Sequence, residues 1–139
     1  RLKIKETNKL EWQGKRILTK LNYIIHTDAV KKNLITINLT TEQKKEIYAS
    51  EADLLNVALF GMTAKQWRES NPNKDGNIRD YASTIELAIL SNLEFHNSKL
   101  IEENIPPQTR LIILNNEANK EKELFNKNNE KVLKITNNE

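Results

Sequence analysis

Residues that could do chemistry are few in this sequence, and their spacing does not bring them together. His26 and Asp28 are two positions apart, as are Glu51 and Asp53, so on a helix the members of each pair do not face one another. His96 stands alone among polar neighbours. Metal sites need three or four converging ligands, and hydrolase sites need a base or nucleophile beside their carboxylates. We therefore expect a surface or capping role for His26 and predict no metal, no cofactor, no catalytic residue and no enzyme activity.

A second set of candidates flanks a polar loop at about 71–82. Large aromatic side chains dominate small cores, so Trp67 is expected to be a core anchor rather than a platform for base stacking. Asp80 stands near the start of the next helix and can cap it, while Arg79 can pin the loop. We favour a structural network here over catalysis, and we keep Trp67, Arg68, Arg79 and Asp80 as a possible interaction surface.

The elements that must position these residues are helices. Three helix starts have a hydroxyl at the N-cap and a glutamine or glutamate three residues later, which satisfies free N–H groups at both positions. These capping boxes are Thr40 with Gln43, Thr63 with Gln66, and Ser83 with Glu86. Gly61 is expected to end a helix, and Pro106–Pro107 to begin one. Together with the capping boxes and the helical spacing of apolar residues, these signals predict helices over about 2–33, 41–60, 64–70, 84–103 and from 107 onward.

The resulting fold prediction is a compact all-α domain of about five, mostly antiparallel helices. The domain spans 1–126, with a long basic first helix (1–33) and a polar loop between helices 3 and 4. Residues 35–39 alternate like a strand but have no partner, so we interpret them as an extended connector. The Asn- and Lys-rich segment 127–139 is predicted to be a frayed tail.

Composition limits the class of protein. The 139 residues include no cysteine, which excludes disulfides and thiolate metal sites. Hydrophobic residues make up 37% and charged residues 29%, a balance typical of helices with one wet face. The longest apolar run is about four residues, at 111–114, far below the roughly 18 needed to cross a bilayer. We therefore expect a cytoplasmic protein without a membrane partner.

Charge is concentrated in the first helix. Residues 1–32 hold nine Lys or Arg and three acidic residues, a balance of +6, whereas the whole chain has a net charge of +3. Four cations fall within about 60° of one another at 100° per residue: Lys5, Lys9, Arg16 and Lys20. This basic strip predicts weak, nonspecific contact with DNA phosphates. The alternatives are a solvated helix face or pairing with the acidic remainder of the chain.

Beside the strip runs an apolar seam. Leu10, Ile17, Leu21 and Ile24 follow a short heptad-like spacing. Gly14 belongs to the same row and would let another backbone approach closely. The seam can pair with a second copy of the chain or dock within the domain.

Four motifs carry a family resemblance. They read LNYIIHTDA at 21–29, EADLLNVALFG at 51–61, TAKQWR at 63–68 and GNIRDYA at 76–82. The sequence resembles, over roughly residues 6–125, the C-terminal region of KilA-N domain proteins of phage and bacterial genomes. In that family a DNA-binding KilA-N module precedes this region. The resemblance, with a start at Arg1 rather than methionine, implies that the chain is part of a longer, phage-related protein.

Two functions follow as hypotheses. The first is a C-terminal oligomerisation or partner-binding domain of a phage-type KilA-N DNA-binding protein. Its partners would be DNA through the preceding module, a second copy as a homodimer, or a host or phage protein. The alternative is a catalytic or toxin-like domain acting on nucleic acid, with Arg68, Arg79 and either Glu51 or Asp53. That alternative requires these four side chains to converge in an open cleft.

Overall fold

The computed structural model describes residues 2–35 and 38–137, and side chains at 13–35 and 38–128. Its helices are α1 (Leu2–Asn33), α2 (Thr41–Phe60), α3 (Ala64–Ser70), α4 (Thr84–Glu102) and α5 (Pro107–Asn137). A 3₁₀ helix, Ile78–Tyr81, lies between α3 and α4. No strand occurs within the described residues, so the all-α prediction is confirmed. In the connector, residues 36 and 37 lie outside the described part.

Helix boundaries follow local capping chemistry. All three predicted capping boxes are present, at Thr40, Thr63 and Ser83. In the first of them, the Gln43 side chain accepts a hydrogen bond from the Thr40 backbone N–H at 2.9 Å. Gly61 ends α2 with φ of 76°, a left-handed conformation that glycine adopts without strain. Capping interactions within four residues are therefore present at the starts of α2, α3 and α4.

Two predicted irregular segments contain helix instead. The polar loop includes the 3₁₀ helix because the side chain of Asn77 accepts hydrogen bonds from the backbone N–H groups of Arg79 and Asp80. The segment predicted as a frayed tail is helical over 127–137, since α5 continues to Asn137. No glycine or proline follows Pro107, so nothing interrupts the backbone hydrogen bonds of that helix.

The core lies between α2, α4 and α5. Pairs four residues apart on each helix are fully buried there: Leu55 and Leu59, Ile89 and Leu93, Leu114 and Ala118. Such i, i+4 rows place the apolar side chains on one helix face. Burial of each leucine or isoleucine contributes about 1.5–3 kcal/mol, so these rows are the main stabilising feature of the domain.

Cross-helix hydrogen bonds fix the helix directions. On α4 and α5, Asn92 contacts Glu121 and His96 contacts Glu117, so these two helices are antiparallel. On α2 and α5, Asn115 donates to the Ala58 carbonyl and Lys122 donates to the Leu59 carbonyl, so both helices run the same way. The predicted, mostly antiparallel arrangement thus includes a parallel pair, α2 and α5, because α4 runs the other way between them and returns the chain to its original direction.

The second half of α1 is packed on the domain. It lies mainly against α4 and buries His26, Ala29 and Val30. By contrast, every residue from 13 to 18 is exposed, whichever way its side chain points. The preceding half of α1 therefore extends away from the core over the residues whose side chains are described.

Candidate functional site

The apolar seam faces away from the domain. Ile17, Leu21 and Ile24 are 66%, 48% and 45% exposed. At 100° per residue their shared face lies about half a turn from the face that carries His26 and Val30. The seam therefore does not dock within this chain at these positions, and nothing lies within 4 Å of a Cβ built at Gly14. The side chain of the fourth seam residue, Leu10, lies outside the described residues.

The structure describes the side chains of two of the four residues in the basic strip. Arg16 and Lys20 are exposed on α1, on the flank of the apolar seam. The side chains of Lys5 and Lys9 lie outside the described residues. Exposed cations beside an apolar row can contact phosphate groups without being part of the domain's core.

The residues around the polar loop form a structural network. Trp67 is buried, and its ring lies 5.3 Å from that of Tyr81. Arg68 donates a hydrogen bond to the Gly76 carbonyl, and Asp80 accepts one from the Asn77 backbone at 2.8 Å. Asp80 caps the 3₁₀ helix rather than α4, which Ser83 caps.

The four residues proposed for a nucleic-acid-acting enzyme do not converge in an open cleft. Arg68 holds the exposed loop, whereas Asp53 caps α3 by accepting from the Ala64 N–H at 2.9 Å. Glu51 is buried and bound to Arg110. Arg79 binds the backbone of α2 and the side chain of Asn56. Asp53 and Arg79 share Asn56 as a partner, and Glu51 and Arg79 line one small, partly enclosed cavity. Arg68 binds the exposed loop instead, so the four side chains do not meet in one open site and provide no support for the catalytic alternative.

A buried polar cluster joins all four long helices, and sequence reasoning missed it. Its members are His26 on α1, Glu51 on α2, Asn97 on α4 and Arg110 on α5, each less than 9% exposed. Arg110 donates to both carboxylate oxygens of Glu51, at 3.1 Å for the Nη2–Oε2 pair, and to Asn97 Oδ1 at 2.9 Å. Arg110 Nε donates to the Ile105 carbonyl at 2.9 Å. The guanidinium is thus bound on several sides, as a buried charge requires.

His26 attaches α1 to this cluster. The Asn97 amide Nδ2 lies 2.8 Å from His26 Nε2 and 3.2 Å from Glu51 Oε1, so it donates to both. Because Nε2 accepts, the imidazole proton resides on Nδ1. Burial, with Arg79 and Arg110 nearby, lowers the pKa of His26 from 6.5 to about 4 despite the opposing charge of Glu51. The expected surface or capping role of His26 is therefore wrong, since the side chain is a neutral, buried linker.

A second buried ion pair lies next to the cluster. Glu94 on α4 is 3% exposed, and its Oε1 is 3.6 Å from Nη1 of Arg79. Its other oxygen, Oε2, is buried and makes no hydrogen bond to any described residue. Burial raises the pKa of Glu94 from 4.5 to about 7, and Arg79 only partly opposes this effect. Glu94 therefore changes its charge near neutral pH.

The cluster had a signal in the sequence. Glu51 precedes Leu55 and Leu59 at intervals of four, and Arg110 stands in the same relation to Leu114. Asn97 likewise continues the row of Ile89 and Leu93. A polar residue that extends an apolar i, i+4 row lies on the buried helix face, where it needs a partner. The sequence cannot assign those partners to one another, since they are on different helices.

Comparison of the chain with protein-family models, with curated proteins and with solved structures finds no match. The resemblance to KilA-N proteins therefore rests on the sequence motifs alone. Among the described residues, every helix is too short or too polar to span a bilayer. Nor do the described His, Asp and Glu residues form a group of three that could hold a metal ion.

Proposed function

We propose that this domain is the association module of a phage-type, KilA-N DNA-binding protein, and that α1 pairs with a second copy of the chain. The exposed seam of Ile17, Leu21 and Ile24 carries this proposal. Three large apolar residues at spacings of four and three, on a face turned away from the domain, match the contact pattern of a helix pair.

The exposure of α1 over 13–18 favours the same function. An isolated helix is marginally stable in water, because nucleation is costly and its stability depends on burying an apolar face. Pairing two copies of α1 would bury the seam of each copy against the other. The helix would then be stabilised by its partner where the domain does not cover it.

The oligomeric state tests the proposal directly. We expect sedimentation equilibrium of the native chain to show a dimer, and Ile17→Asp to give a folded monomer. Ile112→Asp is a matched control, since Ile112 is also an exposed isoleucine on a helix, 63% exposed on α5. A monomeric native chain, or equal dissociation by both substitutions, would refute the pairing of α1.

The basic strip gives the proposed domain a weak DNA contact of its own. We expect a dissociation constant of about 10⁻⁴ to 10⁻⁶ M for duplex DNA, which weakens as salt rises. Arg16→Glu/Lys20→Glu should abolish this binding. Lys44→Glu/Lys45→Glu, an equal charge reversal at exposed positions on α2, should reduce it much less. Similar losses in the two double variants would show that only net charge matters.

A further inference from the structure

A small cavity with both polar and apolar lining lies between α1, α2 and the 3₁₀ helix. Its volume is about 60 Å³, and it is partly enclosed. Its polar lining includes Tyr23, His26, Tyr48, Glu51 and Arg79. Two members of the buried cluster, His26 and Glu51, therefore also line a partly enclosed cavity.

Three of the lining residues have hydrogen-bond donors with capacity to spare. Arg79 has five N–H groups, of which two donate to Asn56 and to the Ala52 carbonyl. The remaining three make no hydrogen bond to the described residues, although Nη1 lies 3.6 Å from Glu94 Oε1. His26 carries its proton on Nδ1, since Nε2 accepts from Asn97. The hydroxyl of Tyr48 likewise has no hydrogen-bond partner among the described residues.

The acidic group in the lining is already neutralised. Both oxygens of Glu51 accept from Arg110, and one also accepts from Asn97. The other nearby carboxylate, Glu94, is 3.6 Å from Arg79 and does not line the cavity. The groups that remain for a ligand are neutral donors and the N–H groups of the Arg79 guanidinium, which keeps a long ion pair with Glu94. Such a set is complementary to an oxyanion, which arginine binds through charge-assisted hydrogen bonds.

We propose that this cavity binds a phosphate group through Arg79, His26 and Tyr48. The cavity also adjoins the basic flank of α1, because Lys20 and the cavity residues Tyr23 and Thr27 lie within about 60° around the helix. A phosphate can come from two sources, a free phosphate compound or the end of a nucleic-acid strand. The phosphate site itself does not depend on self-association or on the basic strip.

The first test uses the native chain. Titration with inorganic phosphate, followed by NMR of the His26 imidazole and the Tyr48 ring, should shift these signals in a saturable way. Sodium chloride at equal ionic strength should leave them unchanged. Shifts confined to exposed lysines such as Lys20, or no shift at all, would overturn the proposal.

Cavity-filling variants provide the second test. Ala52 lines the cavity without donating to the ligand, so Ala52→Leu should weaken phosphate binding at least tenfold by occupying the space. Ala88→Leu, an exposed position on α4, should bind like the native chain. Native-like binding by Ala52→Leu would overturn the site. If Ala52→Leu does not fold, Tyr48→Phe makes the same comparison, with a loss of about tenfold expected for a hydrogen bond to a charged group.

Oligonucleotides distinguish the two sources of phosphate. A 5′-phosphorylated strand that binds at least fivefold more tightly than its 5′-hydroxyl form, with the difference lost in Ala52→Leu, would identify a nucleic-acid end. Equal affinities, with inorganic phosphate still bound, would identify a free phosphate compound. Of these experiments, the oligonucleotide comparison alone rests on the proposed DNA contact. The inorganic phosphate titration therefore separates failure of the site from failure of that contact.

Discussion

His26 and Glu94 make opposite contributions to the pH dependence of stability. The pKa of His26 is lowered from 6.5 to about 4, so the unfolded chain binds more protons between these values. Its contribution to the unfolding free energy is present above pH 6.5 and is lost as the pH falls toward 4. Since one pKa unit corresponds to about 1.4 kcal/mol, the full effect is about 3 kcal/mol.

Glu94 acts in the other direction. Its pKa is raised from 4.5 to about 7, so the folded chain binds more protons in that range. Its contribution is fully present below pH 4.5 and is lost as the pH rises through 7, again by about 3 kcal/mol. Between pH 4.5 and 6.5 the two effects nearly cancel. We therefore expect these two groups together to contribute almost no pH dependence there.

Single substitutions should reveal each contribution. We predict that acidification from pH 7 to 4.5 lowers the unfolding free energy of Glu94→Gln by about 3 kcal/mol relative to the native chain. The same acidification should raise the unfolding free energy of His26→Gln by a similar amount relative to the native chain. Urea unfolding followed by far-UV circular dichroism at several pH values measures both, and the comparison with the native chain removes the background of other carboxylates.

Two results would refute this reasoning. Parallel curves for the native chain and both variants would mean that neither pKa is perturbed by burial. The unfolding free energies of the two variants, each taken relative to the native chain, could also change with pH in the same direction. That result would show that His26 and Glu94 do not make opposite contributions. Thermal melts at pH 4.5 and 7 give an independent check on the sign.

Further predictions concern the cluster, the helix ends and metal. Arg110→Met should lower the unfolding free energy by about 3–5 kcal/mol, because Glu51 would keep a buried charge without its partner; urea unfolding measures this. Gly61→Ala should cost about 1 kcal/mol or more, since φ is 76° there. Gly14→Ala, within exposed helix, should instead stabilise by roughly 0.5–1 kcal/mol. Thermal melts with and without a chelator should superimpose, because no metal-ligand group exists among the described residues.

Each of these expectations has an outcome that contradicts it. A stable Arg110→Met variant would show that Glu51 can stay buried without its partner at little cost. Equal effects of the two glycine substitutions would mean that the conformation at Gly61 is not restrictive. A lower melting temperature in chelator would reveal a metal site that involves residues outside the described part.

Local chemistry in the sequence determined the helices. Capping boxes act within four residues, and Gly61 ends α2 through its own backbone conformation, so the bounds of α2 and α3 could be predicted to the residue. Where the local signal was weak, prediction was poorer. Asn77 starts a 3₁₀ helix inside a segment predicted as loop, and the polar composition after Asn126 did not prevent α5 from continuing.

Tertiary structure alone decided which side chains meet. His26 and Asn97 are 71 positions apart, and Glu51 and Arg110 are 59 apart, yet four packed helices bring them into one network. Helix periodicity is a local property of the chain, so the sequence by itself placed these polar residues on the apolar face of their helices. It did not specify the partners, because pairing depends on how helices are arranged relative to one another. Burial then followed from that arrangement, and burial gave His26 and Glu94 their altered pKa values.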